Sequence, residues 1–261
     1  MKIHAYMSVL AFLVLSFCCV AESDESAARA FAKMPPRLAA EATASEVLTA
    51  CRSMLPSRPV NLKGALILRN RRGIVSKEFD YALVMRRTPE ITQMTVRLFP
   101  RGGTNLLVQA DIARRGAVKP DITVISHDAN LEVAPVKSLL DRVMDTDVTW
   151  LDLTFDFLWW TDASYEKDRE GESVHGQKCS VILVKPGTPI VGLAAVRLWA
   201  DRKTGCLMQA EQLDESMKPI RRMWGTRVKK FDDRWMVSVL EVETLGSRHR
   251  TKITVDSLQE L

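Results

Sequence analysis

The side chains that could do chemistry in this chain are few and scattered. Beyond the N-terminal segment there are three histidines, His127, His175 and His249, far apart and without ligand spacing to each other or to any cysteine. Cys51, Cys179 and Cys206 form no C-x-x-C pair. Asp145, Asp147, Asp152 and Asp156 lie close together and could be pictured around a cation, but they lack the spacing of a calcium loop. Helix capping and the solvated faces of helices account for these four. There is no G-x-S-x-G elbow, phosphate-cradling G-x-x-x-x-G-K, dinucleotide G-x-G-x-x-G or zinc H-E-x-x-H. Arg101-Gly102-Gly103 reads as a turn. The sequence therefore assigns no catalytic residue, metal ligand or cofactor, and the chain reads as a non-enzyme.

What does stand out is apolar. Thr149-x-x-Asp152 is a helix-capping signal that opens Trp150 to Trp160 (WLDLTFDFLWW), a short segment too greasy for a surface helix. Just upstream, 136–144 (VKSLLDRVM) puts Leu139, Leu140, Val143 and Met144 on one helical stripe. Together these predict a two-helix insertion. Its candidate ligand-facing residues are Leu139, Leu140, Val143, Trp150, Leu151, Leu153, Phe155, Phe157, Leu158 and Trp159, the cavity or lid side chains for an apolar ligand. A plug in one end of a barrel and a movable lid over a cavity are both compatible with this segment.

The elements that must position it are mostly strands. Thr43-x-x-Glu46 is a capping box for a helix over 44–54, whose apolar face is Val47, Leu48, Cys51 and Leu55. Period-two alternation, as in Phe79, Tyr81, Leu83 and Met85, predicts strands at 62–69, 75–86, 92–99, 104–113, 121–126 and 131–134. More follow at 164–170, 173–185, 192–201, 206–213, 219–231, 234–244 and 248–257. Asn70–Gly73, Asp201–Gly205, Asp214–Lys218 and Phe231–Arg234 carry turn residues. In 179–185 and 193–199 both alternating sets are apolar, so each needs cover on both faces. The basic turns (Arg69, Arg71, Arg72; Arg221, Arg222; Arg248, Arg250) read as solvated strand ends.

Composition bounds the class. The chain has 261 residues, 46% of them hydrophobic, 26% charged and 7% aromatic, with a net charge of +5. These fractions exclude a disordered, collagen-like or multi-pass membrane protein, and the mild, dispersed charge does not point to nucleic acid. Lys2 and His4 precede an apolar run over 7–20, too short to span a bilayer comfortably and matched to a secretory signal peptide, with an uncleaved anchor as the alternative. Cys19 and Ala21 supply small residues for cleavage after Ala21. Phe17 before Cys18 and Cys18 before Cys19 do not make a lipid-attachment box. The expected organisation is a signal peptide over 1–21, a flexible lead over 22–42 and one domain over 43–261, exported to the periplasm. Cys18 and Cys19 leave with the signal. The remaining three cysteines are expected as free thiols, because the hairpins place strand 192–201 between Cys179 and Cys206.

The C-terminal part, about 145–261, resembles the outer-membrane lipoprotein-sorting proteins of the LolA-like superfamily. The resemblance rests on Leu198-Trp199-x-Asp201, Asp214 with Lys218, Trp235 and His249-x-Thr251. Upstream, Asp147-x-x-Trp150-x-Asp152-Leu153 is similar to the family's lid entry, and Glu172-x-Val174-x-Gly176 with Cys179 to its next strand. Glu215-Ser216-Met217 stands where the family has a glycine, which predicts a longer or looser hairpin there. The resemblance implies a mainly β (α+β) fold: a half-open antiparallel β-barrel with an N-terminal helix and a short two-helix lid. It implies a periplasmic carrier that shields lipoprotein acyl chains or related lipids, with inner- or outer-membrane transport proteins as partners. A sensor of the same fold that reads lipoproteins and regulates a membrane partner is the alternative. The physics suits a carrier. Burial is worth about 0.8 kcal/mol per methylene, so an acyl chain of about fifteen carbons gains on the order of 12 kcal/mol at most.

Overall fold

The Thr43–Glu46 capping box forms as expected and starts helix α1, Ala44–Ser53, with Ala44, Val47, Leu48 and Cys51 buried. Strands follow: β1 Val60–Asn70, β2 Val75–Arg87, β3 Ile91–Pro100, β4 Val108–Arg115, β5 Asp121–Ser126 and β6 Val133–Pro135. The chain then crosses through helix α2, Trp150–Thr154, and a 3-10 turn, Asp156–Trp159. It resumes as β7 Asp162–Tyr165, β8 Ser173–Val174, β9 Gln177–Lys185, β10 Ala195–Asp201, β11 Leu207–Leu213, β12 Pro219–Phe231, β13 Arg234–Thr244 and β14 His249–Glu260. This computed structural model describes residues 38–39, 41–88, 90–127, 132–232 and 234–261. The signal peptide expected over 1–21, most of the lead over 22–42 and the side chain of Trp235 lie outside the described residues. Among those residues no helix is long and apolar enough to cross a membrane.

All the strands join one antiparallel sheet in the order β6-β5-β4-β3-β2-β1-β14-β13-β12-β11-β10-β9-β7, with β8 paired to β9. Each half is a meander, and the halves meet where β1 pairs β14 from Val60↔Glu260 to Asn70↔His249. The sheet curls without closing, so β6 and β7 remain its two edges. The chain must travel from one edge to the other between them, and residues 136–161 make that journey across the concave face. The half-open barrel is thus as expected, and the lid is its crossover.

The details depart from expectation in several places. The strand expected over 164–170 is β7 only to Tyr165 and then a 3-10 turn at Lys167–Arg169, and Arg221, expected on a solvated strand end, is buried against Asp152. No helix forms over 136–144. The backbone there pairs with 148–151 instead: Val143 N donates to Val148 O at 2.8 Å, Leu151 N to Leu139 O at 2.8 Å and Trp150 N to Asp141 O at 3.2 Å. Leu139 and Val143 are still buried, so the apolar spacing reports burial rather than helix. Residues 173–185 are a tight hairpin, not one strand, because His175 and Gly176 both take positive φ. The 214–218 turn stays tight without the glycine. Met217 takes φ 61, and the Asp214 carboxylate accepts from Ser216 N and Lys218 N, both at 2.9 Å.

Helix α1 ties the two flanks of the curled sheet together. Gly205, at φ +70, lets the β10–β11 turn approach the helix so closely that a Cβ there would lie 2.6 Å from Ala50 Cβ. On the other side Arg87 Nη1, on β2, donates to the carbonyl of Arg52 at 3.0 Å. Strands β9 and β10 are covered twice. Ile182, Val184, Val196 and Leu198 join the main core under the crossover. Cys179, Val181 and Trp199 form a second cluster with Val174 of β8, and Trp199 Nε1 donates to Glu172 at 2.8 Å.

The strand order places β10 between β9 and β11. Cys179 and Cys206 are therefore two strand spacings apart, roughly 9–10 Å, beyond the ~4.4–6.8 Å of a disulfide. Cys51, Cys179 and Cys206 are free thiols. Burial pushes Cys206 up to about 11 and raises Cys51 and Cys179 as well. Beyond Cys18 and Cys19, iodoacetamide at pH 8 should label these three thiols slowly in the native protein. It should label all three promptly in denaturant without reductant, and a count of one would place two of them in a disulfide.

Candidate functional site

The crossover is held by aspartates. Thr149 and Asp152 form a reciprocal capping box at the start of α2. The Asp152 carboxylate also accepts from Gln212 Nε2 at 2.7 Å and Arg221 Nη2 at 2.9 Å, on β11 and β12. Asp147 is fully buried; its amide donates to Thr251 Oγ1 at 2.8 Å, and its carboxylate lies 2.9 Å from His249 Nδ1, both on β14. Asp156 pairs with Arg114 on β4 and accepts from Trp160 Nε1 at 2.8 Å. Arg114 in turn lies over the Trp159 ring, 4.6 Å from its centroid. Burial works against the Arg114 charge and lowers its pKa. The expectation of solvated aspartates thus holds only for Asp145, which is exposed and pairs with Lys77. The other three are buried and fix the crossover to strands on both sides of the sheet. Sequence carried one trace of this: Asp152 sat in a cap signal, but its partners are 60 and 69 residues away.

Beneath the crossover lies an apolar cavity of about 230 Å³. Its floor is the concave sheet face, with Leu62, Leu66, Leu83, Val96, Leu98 and Ile253. Its roof is Val143, Leu153, Phe155, Leu158 and Trp159 from the crossover. Six of the eleven methionines line it: Met54, Met85, Met94, Met208, Met223 and Met236. Thioether side chains are unbranched and adaptable, so such a wall can follow ligands of varied shape. Most polar groups in the lining are already occupied. Tyr81 Oη donates to Thr254 O at 2.9 Å and Thr154 Oγ1 to Trp150 O at 2.7 Å, while Asp152 and Arg114 are held as above. Met54 and Leu55 after α1 and Gly225, Met236 and Val237 on the β12–β13 hairpin are half-buried lining residues, as are Met208, Gln209 and Trp224.

The ten residues singled out in the sequence divide into two groups. Val143, Leu153, Phe155, Leu158 and Trp159 line the cavity. Leu139, Trp150, Leu151 and Phe157 are buried in the core of the crossover, and Leu140 packs partly buried at its edge. Phe155 takes φ 49 as it links α2 to the 3-10 turn, and its ring meets Phe157 edge-on at 6.0 Å. A left-handed conformation costs an aromatic residue roughly 1–2 kcal/mol, which the surrounding packing offsets. The methionine wall escaped the sequence reading because its members come from six separate elements. Among the described residues no three His, Cys, Asp or Glu side chains converge as a metal ion would need.

A family model described only as an uncharacterized protein matches residues 132–260. No curated protein matches the chain. Solved structures do. A DUF1329 family protein from Desulfovibrio piger is 15% identical, with 83% of this chain and 91% of that chain covered at a TM-score of 0.71. An outer membrane lipoprotein-sorting protein domain from Vibrio parahaemolyticus is 14% identical, with 83% and 92% covered at 0.71. A LolA superfamily protein from Nitrosomonas europaea is 14% identical, with 84% and 94% covered at 0.65. The fold is therefore the LolA-like one that the sequence resemblance implied.

The aspartate pins give a direct test. Asp152→Ala strands the Arg221 guanidinium in a buried site and removes a cap, and should cost about 3–5 kcal/mol of stability. Asp152→Asn keeps the cap oxygen and should cost less. Urea denaturation of both variants checks the size and the order.

Proposed function

We propose that this protein is an exported periplasmic carrier that shields an acyl chain, of a lipoprotein or a related lipid, in the cavity beneath its crossover. One observation carries the reading: an apolar, methionine-lined cavity whose polar neighbours are mostly occupied by the protein itself. An enzyme needs converging, available polar groups, and this cavity offers an apolar surface instead. The LolA-like fold supports the same reading, since a domain of that fold is described as sorting outer-membrane lipoproteins.

The pins on Asp147, Asp152 and Asp156 change how a ligand would enter. Lifting the whole crossover breaks several buried polar contacts at once, whereas a mouth between α1 and the β12–β13 hairpin would part only half-buried methionine and leucine side chains. Loading in this reading proceeds through that mouth, with the crossover acting as a fixed roof.

Leu153 and Phe155 are the roof residues that combine cavity contact with partial exposure. Leu153→Asp or Phe155→Asp should weaken binding of a fluorescent fatty acid at least about tenfold by placing a charge against the chain. Their circular dichroism should match the wild type. Phe157→Asp, in the closed core, should unfold the protein. Normal probe binding by both roof variants would overturn the carrier reading. Mass spectrometry of lipids that co-purify from the native periplasm would identify the cargo.

A further inference from the structure

We infer that the cavity takes an anionic amphiphile, whose head oxyanion is held by Arg52, Arg87 and Thr92 at the α1 end while its chain lies among the methionines. This inference rests on the acyl-cavity reading above and adds the chemistry of the head.

The register of the sheet places the groups. Arg87 on β2 is the direct partner of Thr92 on β3, and Thr92 is the direct partner of Arg114 on β4. The three stand side by side, about 4.8 Å per strand, at the end of the concave face that carries Met85, Met94 and Ile112. Thr92 and Arg114 line the cavity, as do Met54 and Leu55 at the end of α1. Arg87 reaches across to the backbone carbonyl of Arg52; the Arg52 guanidinium, whose Nη2 donates to the exposed Thr49 hydroxyl at 3.3 Å, lies outside the lining but close enough for its charge to act on Arg87.

Two of these cations stand apart from the protein's other shielded arginines. Arg69 pairs with Glu241, Arg114 with Asp156, Arg197 with Glu166 and Glu211, Arg221 with Asp152, and Arg222 with Glu211. Arg52 and Arg87 are both half-buried, yet among the described residues no carboxylate pairs with either. Their hydrogen bonds go to the Thr49 hydroxyl and to a backbone carbonyl. Burial and the neighbouring Arg52 charge both lower the Arg87 pKa, so the site gains when a negative charge arrives. A guanidinium fork fits the paired oxygens of a carboxylate or phosphate, and the Thr92 hydroxyl, 5% exposed, adds a donor. A neutral chain would leave the two like charges unrelieved.

The test compares ligands that differ only in the head. The full chain, at neutral pH, is titrated with dodecanoate and with methyl dodecanoate by displacement of an uncharged fluorescent acyl probe. Dodecanoate should bind about tenfold more tightly. That preference should fall to near unity in Arg52→Gln and Arg87→Gln, with binding of the ester unchanged. Arg87→Gln alters a contact to α1; if it misfolds, Arg52→Gln carries the test, because its backbone acceptor is untouched. Equal binding of acid and ester by the wild type, or a preference that survives Arg52→Gln, overturns the head site and leaves the cavity reading intact. Failure of both ligands and the probe to bind overturns the cavity reading and this inference with it. Inorganic phosphate binding as tightly as dodecanoate would make the arginines a free-anion site and overturn the link to the chain.

Discussion

The buried ion pair between Asp152 and Arg221 is the contact on which the arrangement of this molecule turns. A crossover from one sheet edge to the other has no strand partner of its own, and an apolar segment could lie on a concave face in many registers. Hydrophobic burial is non-directional and does not choose among them. A buried charge does, because it is tolerated only where its partner stands. Asp152 finds Gln212 and Arg221 on β11 and β12, Asp147 finds Thr251 and His249 on β14, and Asp156 finds Arg114 on β4. These contacts fix Leu153, Phe155 and Leu158 over the floor of the cavity.

Fixing the roof this way also keeps the cavity apolar. The Asp152 carboxylate, although in the lining, is taken up by Gln212, Arg221 and the Thr149 capping box, and Asp147 and Asp156 are bound to their own partners. The walls that remain are branched aliphatics on the floor and methionines around the sides. The floor is rigid because each strand is paired to two neighbours, whereas the methionines can follow a ligand. Rigidity and adaptability are thus divided between backbone and side chains.

The topology explains why one strand pair matters more than the rest. The two meanders are built from local hairpins, but β1 and β14 are joined across nearly the whole described chain. Without that pair the halves would be two open sheets, each with an exposed edge and half a cavity. Gly64, at the bulge in β1, permits the approach: a Cβ there would lie 1.8 Å from the carbonyl oxygen of Thr254.

The amino-acid sequence by itself determined whatever depends on near neighbours. The α1 capping box, the alternation of β2, the turn residues of the hairpins and the order β9-β10-β11 follow from contacts a few residues apart or from one hairpin to the next. The apolar crossover was legible for the same reason, as an excess of Trp, Phe and Leu within eleven residues. Tertiary structure alone decided the rest. The spacing of Leu139, Leu140 and Val143 suits a helix, but their backbone found partners at 148–151, and no periodicity encodes that choice. Asp147 and Asp156 looked like surface charges because their partners lie far along the chain. The row of Arg87, Thr92 and Arg114 exists only through the register of three strands. A site assembled from many elements is a property of the sheet, because each residue contributes a direction that only the folded neighbours can define.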